Sequence, residues 1–344
     1  MADRVLDNAR KHKIDEFYTQ LVDIENEVKH YLNYFKGKTV LCNCDDPRVS
    51  QFFYFFYSRF NALGLKRLIA TCYKNLNPDL FTQNLDEQAV FCIYDSENRN
   101  DDVYTDYETF IKQNEWGIFK SDGDFRSPEC IELLKQTDIV VTNPPFSLFR
   151  EYVAQLITFK KKFLIIGNKN AITYKEIFSL IKENKMWLGN TSMSVDMLFD
   201  VPESYAKELI KNKREGSAYK IVNGVVKGRS PSVWFTNLDH KKRHENLILY
   251  KTYNKDEYPK YDNYNAINVN KVTDIPLDYY GIMGVPVTFL DKYNPEQFKI
   301  IGMASSAGYD KDIVGIEKSK NIKDARPLIN GVNTYARIFI EGKK

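Results

Sequence analysis

No apolar run in the 344 residues approaches the roughly 20 that a membrane-spanning helix needs, and the first residues, Met1-Ala2-Asp3-Arg4, lack the apolar stretch of a secretion signal. The five cysteines are odd in number and follow neither a disulfide framework nor a zinc-ligand spacing. These absences predict a cytoplasmic enzyme in a reducing compartment, with no metal site. His240 and His244 stand four apart, but no glutamate joins them in a metalloprotease arrangement. Internal repeats and low-complexity tracts are also missing, which excludes solenoids and compositionally biased linkers. What remains is 43% hydrophobic and long enough for one large α/β domain with a smaller module.

The chain is most informative at Asn143-Pro144-Pro145-Phe146. The β-branched run Asp138 to Thr142 before it predicts a buried strand. After it, Leu148, Phe149, Tyr152, Val153, Leu156 and Ile157 recur at helical spacing, with Ser147 placed to cap the helix. The tetrad is therefore expected on a strand-to-helix turn at the carboxyl edge of a parallel sheet, where open α/β folds bind ligands. A rigid Pro-Pro turn is the plainer alternative.

The residue types fit a particular chemistry. An exocyclic amine on an aromatic ring is a poor nucleophile, because its lone pair is delocalised. The Asn143 side-chain oxygen and the Pro144 carbonyl can each accept one of its N–H bonds. Both stabilise the positive charge that develops as the nitrogen attacks a methyl group. Two prolines hold the carbonyl direction, and Phe146 offers a stacking face.

Asp138 to Tyr152, DIVVTNPPFSLFREY, resembles the catalytic block of the EcoRI-type adenine-specific DNA methyltransferases. Asp15 to Gln20 (DEFYTQ), Cys42 to Ser50 (CNCDDPRVS) and Gly281 to Phe298 (GIMGVPVTFLDKYNPEQF) are similar to other parts of the same family. The resemblance implies a Rossmann-like S-adenosylmethionine-dependent α/β fold, doubly wound and mostly parallel, with one antiparallel strand near its end. It implies methyl transfer from S-adenosyl-L-methionine to the N6 amine of an adenine flipped out of double-stranded DNA. The family consists mostly of type II modification enzymes, many of them monomeric on DNA, and a cognate restriction endonuclease would act independently.

Apolar positions Phe17, Leu21, Ile24, Val28, Leu32 and Phe35 predict a one-sided helix over residues 16–35. A strand (Thr39 to Asn43), a helix (Val49 to Leu63) and a strand (Lys66 to Cys72) follow. Residues 75–115 are polar and acidic and predict an insertion of loops with some secondary structure. Strands return near Ile118, at Asp138 to Thr142, at Lys162 to Gly167 and at Ser232 to Thr236. From Tyr250 onward the chain is rich in Tyr, Asn, Asp and Pro and loses the alternation. The expected division is a catalytic and cofactor-binding domain over 12–240, with a basic insertion at about 190–230, and a target-recognition region over 241–344.

The turn after the first strand, Cys42-Asn43-Cys44-Asp45-Asp46-Pro47, contains no glycine, and by itself reads equally as a plain turn. The resemblance places Cys44, Asp45 and Pro47 at the methionine end of the cofactor, with Phe17 and Thr19 closing over it. It also gives Asp124 the cofactor's adenine amino group and Phe125 the ring, although Asp122-Gly123 alone would suit a hairpin turn. The second strand ends at Thr71-Cys72-Tyr73 without the ribose-binding acid of many relatives, so Cys72 and Tyr73 are candidates by position only.

Net charge is only +3, but it is unevenly distributed. Leu76 to Cys130 carries 4 basic and 13 acidic residues, whereas Glu203 to Lys260 carries 13 basic and 7 acidic. The second stretch is the expected clamp on DNA phosphates, through Lys207, Lys211, Lys213, Arg214, Lys227 and Arg229, with Lys241, Lys242 and Arg243 beside it. Two rival readings stand at this point. One is the same chemistry on RNA or a protein glutamine amide; the other is a catalytically inactive DNA-binding relative.

Overall fold

The computed structural model describes residues 19–44, 46–74, 88–95, 107–114, 116–201, 203–213, 215–305, 308–309 and 325–343. The chain divides into two compact units, Met1–Lys169 with Thr191–Leu238, and Asn170–Asn190 with Asp239–Lys344. In chain order the first unit contains α1 (Leu21–Val28), β1 (Thr39–Asn43), α2 (Gln51–Ser58), α3 (Phe60–Leu63), β2 (Arg67–Thr71), β3 (Val90–Asp95) and α4 (Tyr107–Gln113). It continues with β4 (Gly117–Ile118), α5 (Pro128–Lys135), β5 (Ile139–Thr142), α6 (Phe149–Thr158) and β6 (Lys162–Asn168). α7 (Lys175–Lys182) and β7 (Trp187–Leu188) fall in the second unit. β8 (Met197–Asp200), α8 (Glu203–Lys211), β9 (Tyr219–Val222), β10 (Val225–Ser230) and β11 (Ser232–Thr236) return to the first.

Seven strands of the first unit run in the order β4-β3-β2-β1-β5-β6-β11. β2, β1, β5 and β6 are mutually parallel. β1 and β5 are buried along their whole length, as expected for parallel strands covered on both faces. β11 runs antiparallel to β6 and is the reversed strand that the family resemblance implied. β3 is also antiparallel to β2, a reversal that simple βα alternation did not anticipate. The sheet is the mostly parallel, doubly wound one expected.

Local chemistry sets several element ends. Ser50 caps α2 by accepting the Phe53 N–H at 3.3 Å, and Ser127 caps α5 by accepting the Cys130 N–H at 3.2 Å, with Pro128 just inside. The helix expected over Val49 to Leu63 breaks at Arg59 (φ −113°, ψ 14°), and α3 ends at the left-handed Gly64. Of the helix expected over residues 16–35, the described part from Thr19 onward holds α1 and a separate 3₁₀ turn, Leu32–Tyr34, while 16–18 lie outside the described residues. In the last turn of α1 the buried Glu27 carboxylate accepts the Tyr31 hydroxyl and the Thr191 N–H, both at 2.7 Å, and so anchors the chain where α1 stops. Ser147 does not cap α6. The Pro145 carbonyl accepts the Leu148 N–H at 3.0 Å, which closes a 3₁₀ turn over Phe146–Leu148 and moves the helix start to Phe149.

α2 is aromatic on every side, and Phe52, Phe53, Phe55 and Phe56 are all buried in a core with Phe35, Val141, Ile166 and Trp234. Trp234 of β11 meets Phe52 edge-on, with centroids 6.0 Å apart. α6 rests on β6 through Phe149, whose ring would lie 2.5 Å from any Cβ at position 167, so Gly167 leaves it room. β8, β10 and β9 form a small antiparallel sheet, in that order, contacted by α8. Within the second unit the strands are β12 (Ile267–Asn268), β13 (Met283–Pro286), β14 (Phe298–Ser305), β15 (Gly308–Tyr309), β16 (Leu328–Ile329), β17 (Val332–Asn333) and β18 (Arg337–Gly342). Five of them form a sheet in the order β12-β13-β18-β14-β15, packed with Tyr261, Tyr264 and Phe339. The Tyr- and Asn-rich composition from Tyr250 onward thus builds a β unit, without the helical spacing of the first.

Trp234→Ala should destabilise the protein by about 3–5 kcal/mol, the usual cost of emptying a large aromatic site in a close-packed core. The measurement is the shift in the urea unfolding midpoint at unchanged slope.

Candidate active site

β1 pairs with β2 on one side and with β5 on the other, and the chain leaves β1 towards β2 before returning to β5. This reversal of winding opens a crevice at the carboxyl ends of β1 and β5. The two ends are tied together, because the Thr142 hydroxyl donates to the Asn43 carbonyl. Tyr152, wholly buried on α6, donates its hydroxyl to the Asn43 side-chain oxygen. Strand end, turn and following helix are thereby held as one piece.

Asn143 is the next residue after β5 and is 2% exposed. Its amide nitrogen donates to the Thr19 hydroxyl at 3.4 Å, a contact that sets the plane of the amide and turns its oxygen away from Thr19. Pro144 is buried and Pro145 half-buried, and Phe146 has only 8% of its surface open. Phe146 is therefore as much a part of the core cluster as a surface of the crevice. Phe17, the other candidate of the N-terminal motif, lies outside the described residues.

On the β1 side, Cys44 adopts the left-handed conformation, φ 80°. Glycine takes that conformation most readily, so the backbone of a glycine turn is present even though the residue is not. Asp45 lies outside the described residues. Asp46 is buried, and its carboxylate accepts Arg48 Nε at 2.9 Å, Arg48 Nη2 at 2.6 Å and the Arg48 N–H at 2.9 Å. The Pro47 carbonyl accepts the Tyr107 hydroxyl at 2.9 Å.

The remaining cofactor-side candidates come together at the end of β2. Cys72 is buried and Tyr73 exposed, and the Lys74 N–H donates to the Asp122 carbonyl at 2.7 Å. Gly123, at φ +73°, would place a Cβ 2.6 Å from the Cys72 carbonyl oxygen, so this close approach requires glycine. Asp124 accepts Arg126 Nε and Nη2, both at 2.8 Å, and these bonds hold its carboxyl below the usual range. Arg126 also reaches Glu151 of α6 at 2.7 Å. Phe125 is buried, meets Tyr152 edge-on with centroids 5.0 Å apart, and its carbonyl accepts Gln155 Nε2 at 3.1 Å. Tyr152 thus links the Asp124-Phe125 turn to Asn43, and through it to Asn143.

The family described as Adenine-specific methyltransferase EcoRI matches residues 5–343. The chain belongs to the EcoRI-type adenine-specific methyltransferases. It is 47% identical to Type II methyltransferase M.EcoRI of Escherichia coli over 99% of this chain and 97% of that one. It is 39% identical to Type II methyltransferase M.MgeORF184P of Mycoplasma genitalium over 97% of each, and 41% identical to M.MpnI of Mycoplasma pneumoniae over 85% of this chain and 83% of that one. No solved structure matches the chain significantly. The enzyme is an adenine-specific DNA methyltransferase of the restriction-modification kind, and neither rival reading is favoured. The chemistry requires a methyl donor. No helix among the described residues is long and apolar enough to cross a membrane.

The methyltransferase's candidate DNA cations fall into two groups. Lys211 and Lys213 are exposed, and Lys207 is exposed beside Glu203 at 2.7 Å. Such a solvated pair contributes little to stability and is easily exchanged for a phosphate. Lys227 is paired with Asp200, while Arg229 donates to Asp196 at 2.5 Å and to the Gly216 carbonyl at 2.7 Å. In the second unit Lys241 is exposed, but Lys242 donates to the Asn190 carbonyl at 2.9 Å. Arg243 lies over Trp187 at 3.7 Å and donates to Asn184 at 2.8 Å. Arg214 lies outside the described residues.

Sequence reasoning missed the partners. Tyr152 read as helix core and Asn43 as a strand residue, Arg126 was not singled out, and no local pattern joins positions as distant as 43 and 152. Asp23, in the first turn of α1, was also missed. Burial raises its carboxyl to about 6. The fold therefore favours the protonated form: Asp23's contribution to stability is full below its unfolded value near 3.8 and is lost as pH rises through about 6. In the ligand-free enzyme, Asp23→Asn should raise the thermal midpoint at pH 8 and leave it nearly unchanged at pH 4, as read by paired melts across that range.

Proposed function

We propose that the crevice at the carboxyl ends of β1 and β5 binds S-adenosyl-L-methionine beside an adenine extruded from double-stranded DNA, and that the enzyme methylates the adenine N6. The observation that carries this reading is the tethered Asn143 amide at the switch point, joined through Tyr152 to the Asp124-Phe125 turn. The parts suit the cofactor: a left-handed turn at Cys44, a glycine-only approach at Gly123, a buried aromatic at Phe125 and a carboxylate at Asp124. When bound, the cofactor supplies a methyl group on a sulfonium sulfur. Phe17, Thr19, Cys44, Asp45 and Pro47 hold its methionine end, Cys72 and Tyr73 lie at its ribose, and Asp124 and Phe125 take its adenine.

Asn143 Oδ1 and the Pro144 carbonyl accept the two N–H bonds of the target amine, restoring its lone pair and stabilising the charge that develops on nitrogen. Pro144 and Pro145 hold those acceptors in place, and the open edge of Phe146 contacts the target base. The nitrogen becomes acidic once alkylated, so water can take its proton and no protein base is needed. Inside the duplex the amine is paired and its ring faces are covered, so the base must leave the stack. Residues 12–240 carry the catalysis, with a basic insertion at about 190–230, and residues 241–344 read the target. The enzyme acts as a cytoplasmic monomer, the modification partner of an independently acting type II restriction endonuclease.

Asn143→Ala should slow methyl transfer about a hundred- to a thousandfold, the usual cost of losing one preorganised acceptor or donor of reaction charge, while calorimetry finds cofactor binding nearly intact. The assay transfers a radiolabelled methyl to DNA, RNA and protein in parallel and identifies N6-methyladenine by mass spectrometry. Label on RNA or protein alone, or a variant with wild-type turnover, would defeat the reading.

DNA binding should weaken steeply with salt, and alanine at Lys207, Lys211, Lys213 or Lys241 should each reduce the log–log slope by about one. Fluorescence anisotropy across a salt series measures this. An unaltered slope in all four variants would move the clamp elsewhere.

A further inference from the structure

The small sheet β8-β10-β9 leaves an apolar tip in solvent. β9 and β10 are joined by Asn223-Gly224, with φ 50° and 77°, the two positive values of a tight type I′ hairpin. Around that turn Ile221 is 51% exposed, Val222 37% and Val225 54%. The base of the hairpin is well built. Tyr219, Phe199, Met197 and Leu209 are buried, and the Phe199 ring covers Gly228 so closely that a Cβ there would meet it at 2.4 Å. Asp196 receives both Lys220 and Arg229, and Asp200 receives Lys227. A braced ribbon of this kind holds its tip in a fixed direction.

The chain path places the ribbon on the catalytic edge. Ser232, the first residue of β11, pairs with Asn168, the last of β6, so β10 reaches the central sheet at the carboxyl end of β6. The Lys169 N–H donates to the Pro231 carbonyl at 2.7 Å in the link between β10 and β11. Asn143 follows β5 on the same edge, two strand spacings away, or about 10 Å in the sheet. Ribbon and catalytic turn belong to one compact unit.

We propose that the β9–β10 hairpin enters a groove of the substrate duplex beside the target adenine, and that Ile221, Val222 and Val225 are its apolar contact with DNA. The inference rests on the DNA-methylating reading above and adds the element that engages the duplex. A two-stranded ribbon fits the major groove, whose floor presents thymine methyl groups to apolar side chains. The cations favour this occupant over a second copy of the chain. Lys207 and Lys211 on α8 and Lys213 in the link into β9 are exposed and suited to the phosphates flanking a groove.

The test is the triple variant Ile221→Thr, Val222→Thr, Val225→Thr, which keeps β-branched side chains at exposed positions and so keeps the hairpin. Its thermal midpoint and its calorimetric affinity for S-adenosylmethionine should match the wild type. Its affinity for duplex DNA and its kcat/KM on duplex should fall by about ten- to a hundredfold, as expected when several apolar contacts are lost. The log–log salt slope should stay at the wild-type value, because apolar contacts release no counterions. Wild-type affinity and methylation in the variant would overturn the proposal. So would a loss that appears only as a changed salt slope, which would assign the effect to the neighbouring lysines. A wild-type dimer that the variant converts to monomer, with duplex methylation unchanged, would assign the tip to a second copy instead. If the wild-type protein methylates no DNA, the functional reading falls together with the hairpin. An active wild type with an unimpaired variant removes the hairpin alone.

Discussion

Everything at the active edge depends on Asn43, the last residue of β1, which is buried and accepts two hydroxyls. Its backbone carbonyl takes Thr142 of β5, and its side-chain oxygen takes Tyr152 of α6. A buried acceptor left without its donor is costly, so these bonds select a single arrangement of strand end, turn and helix. Asn143 follows Thr142 directly, and the register that satisfies Asn43 therefore also positions the Asn143 amide. The same Tyr152 ring supports Phe125, so the Asp124-Phe125 turn and the Asn143 turn share one support.

The crevice also relies on two backbone positions with positive φ. Gly123 passes against the Cys72 carbonyl where no side chain fits, and Cys44 takes the left-handed conformation with a side chain present. The strain at Cys44 is tolerated because the flanking residues are fastened: Asn43 by its two hydroxyls, and Asp46 by Arg48 and by the Val49 and Ser50 N–H groups at 3.0 and 2.8 Å. A backbone held in this way can approach a ligand as closely as a glycine turn does.

Charge in this enzyme has two uses, and composition does not separate them. Lys227, Arg229, Lys242 and Arg243 are engaged with carboxylates, carbonyls or the Trp187 ring, where they brace the β8-β10-β9 sheet and the second unit. Lys211, Lys213 and Lys241 stand in solvent, and Lys207 is exposed in a solvated pair with Glu203 that a phosphate can replace. Only cations of the second kind contribute strongly to a field that a polyanion meets, since a paired cation is largely neutralised at a distance.

The amino-acid order alone determined the features that are local in the chain. The β-branched run before Asn143 fixes β5, the apolar spacing after Phe146 fixes α6, and the tetrad brings two acceptors, the Asn143 side-chain oxygen and the Pro144 carbonyl, to one turn. Those signals are legible because strand and helix periodicity, proline geometry and hydrogen-bond capacity are properties of a few adjacent residues. The shift of the α6 start from Ser147 to Phe149, the reversal of β3 and the break at Arg59 were not legible, because each depends on what the segment packs against. Tertiary structure alone decided that Tyr152 meets Asn43 across 109 positions, that Arg126 clamps Asp124 while reaching Glu151, and that burial raises the Asp23 carboxyl above the usual carboxylate range. It also decided which lysines face water. Burial, desolvation and ion pairing belong to the assembled neighbourhood of a residue, and that neighbourhood exists only once distant segments have come together.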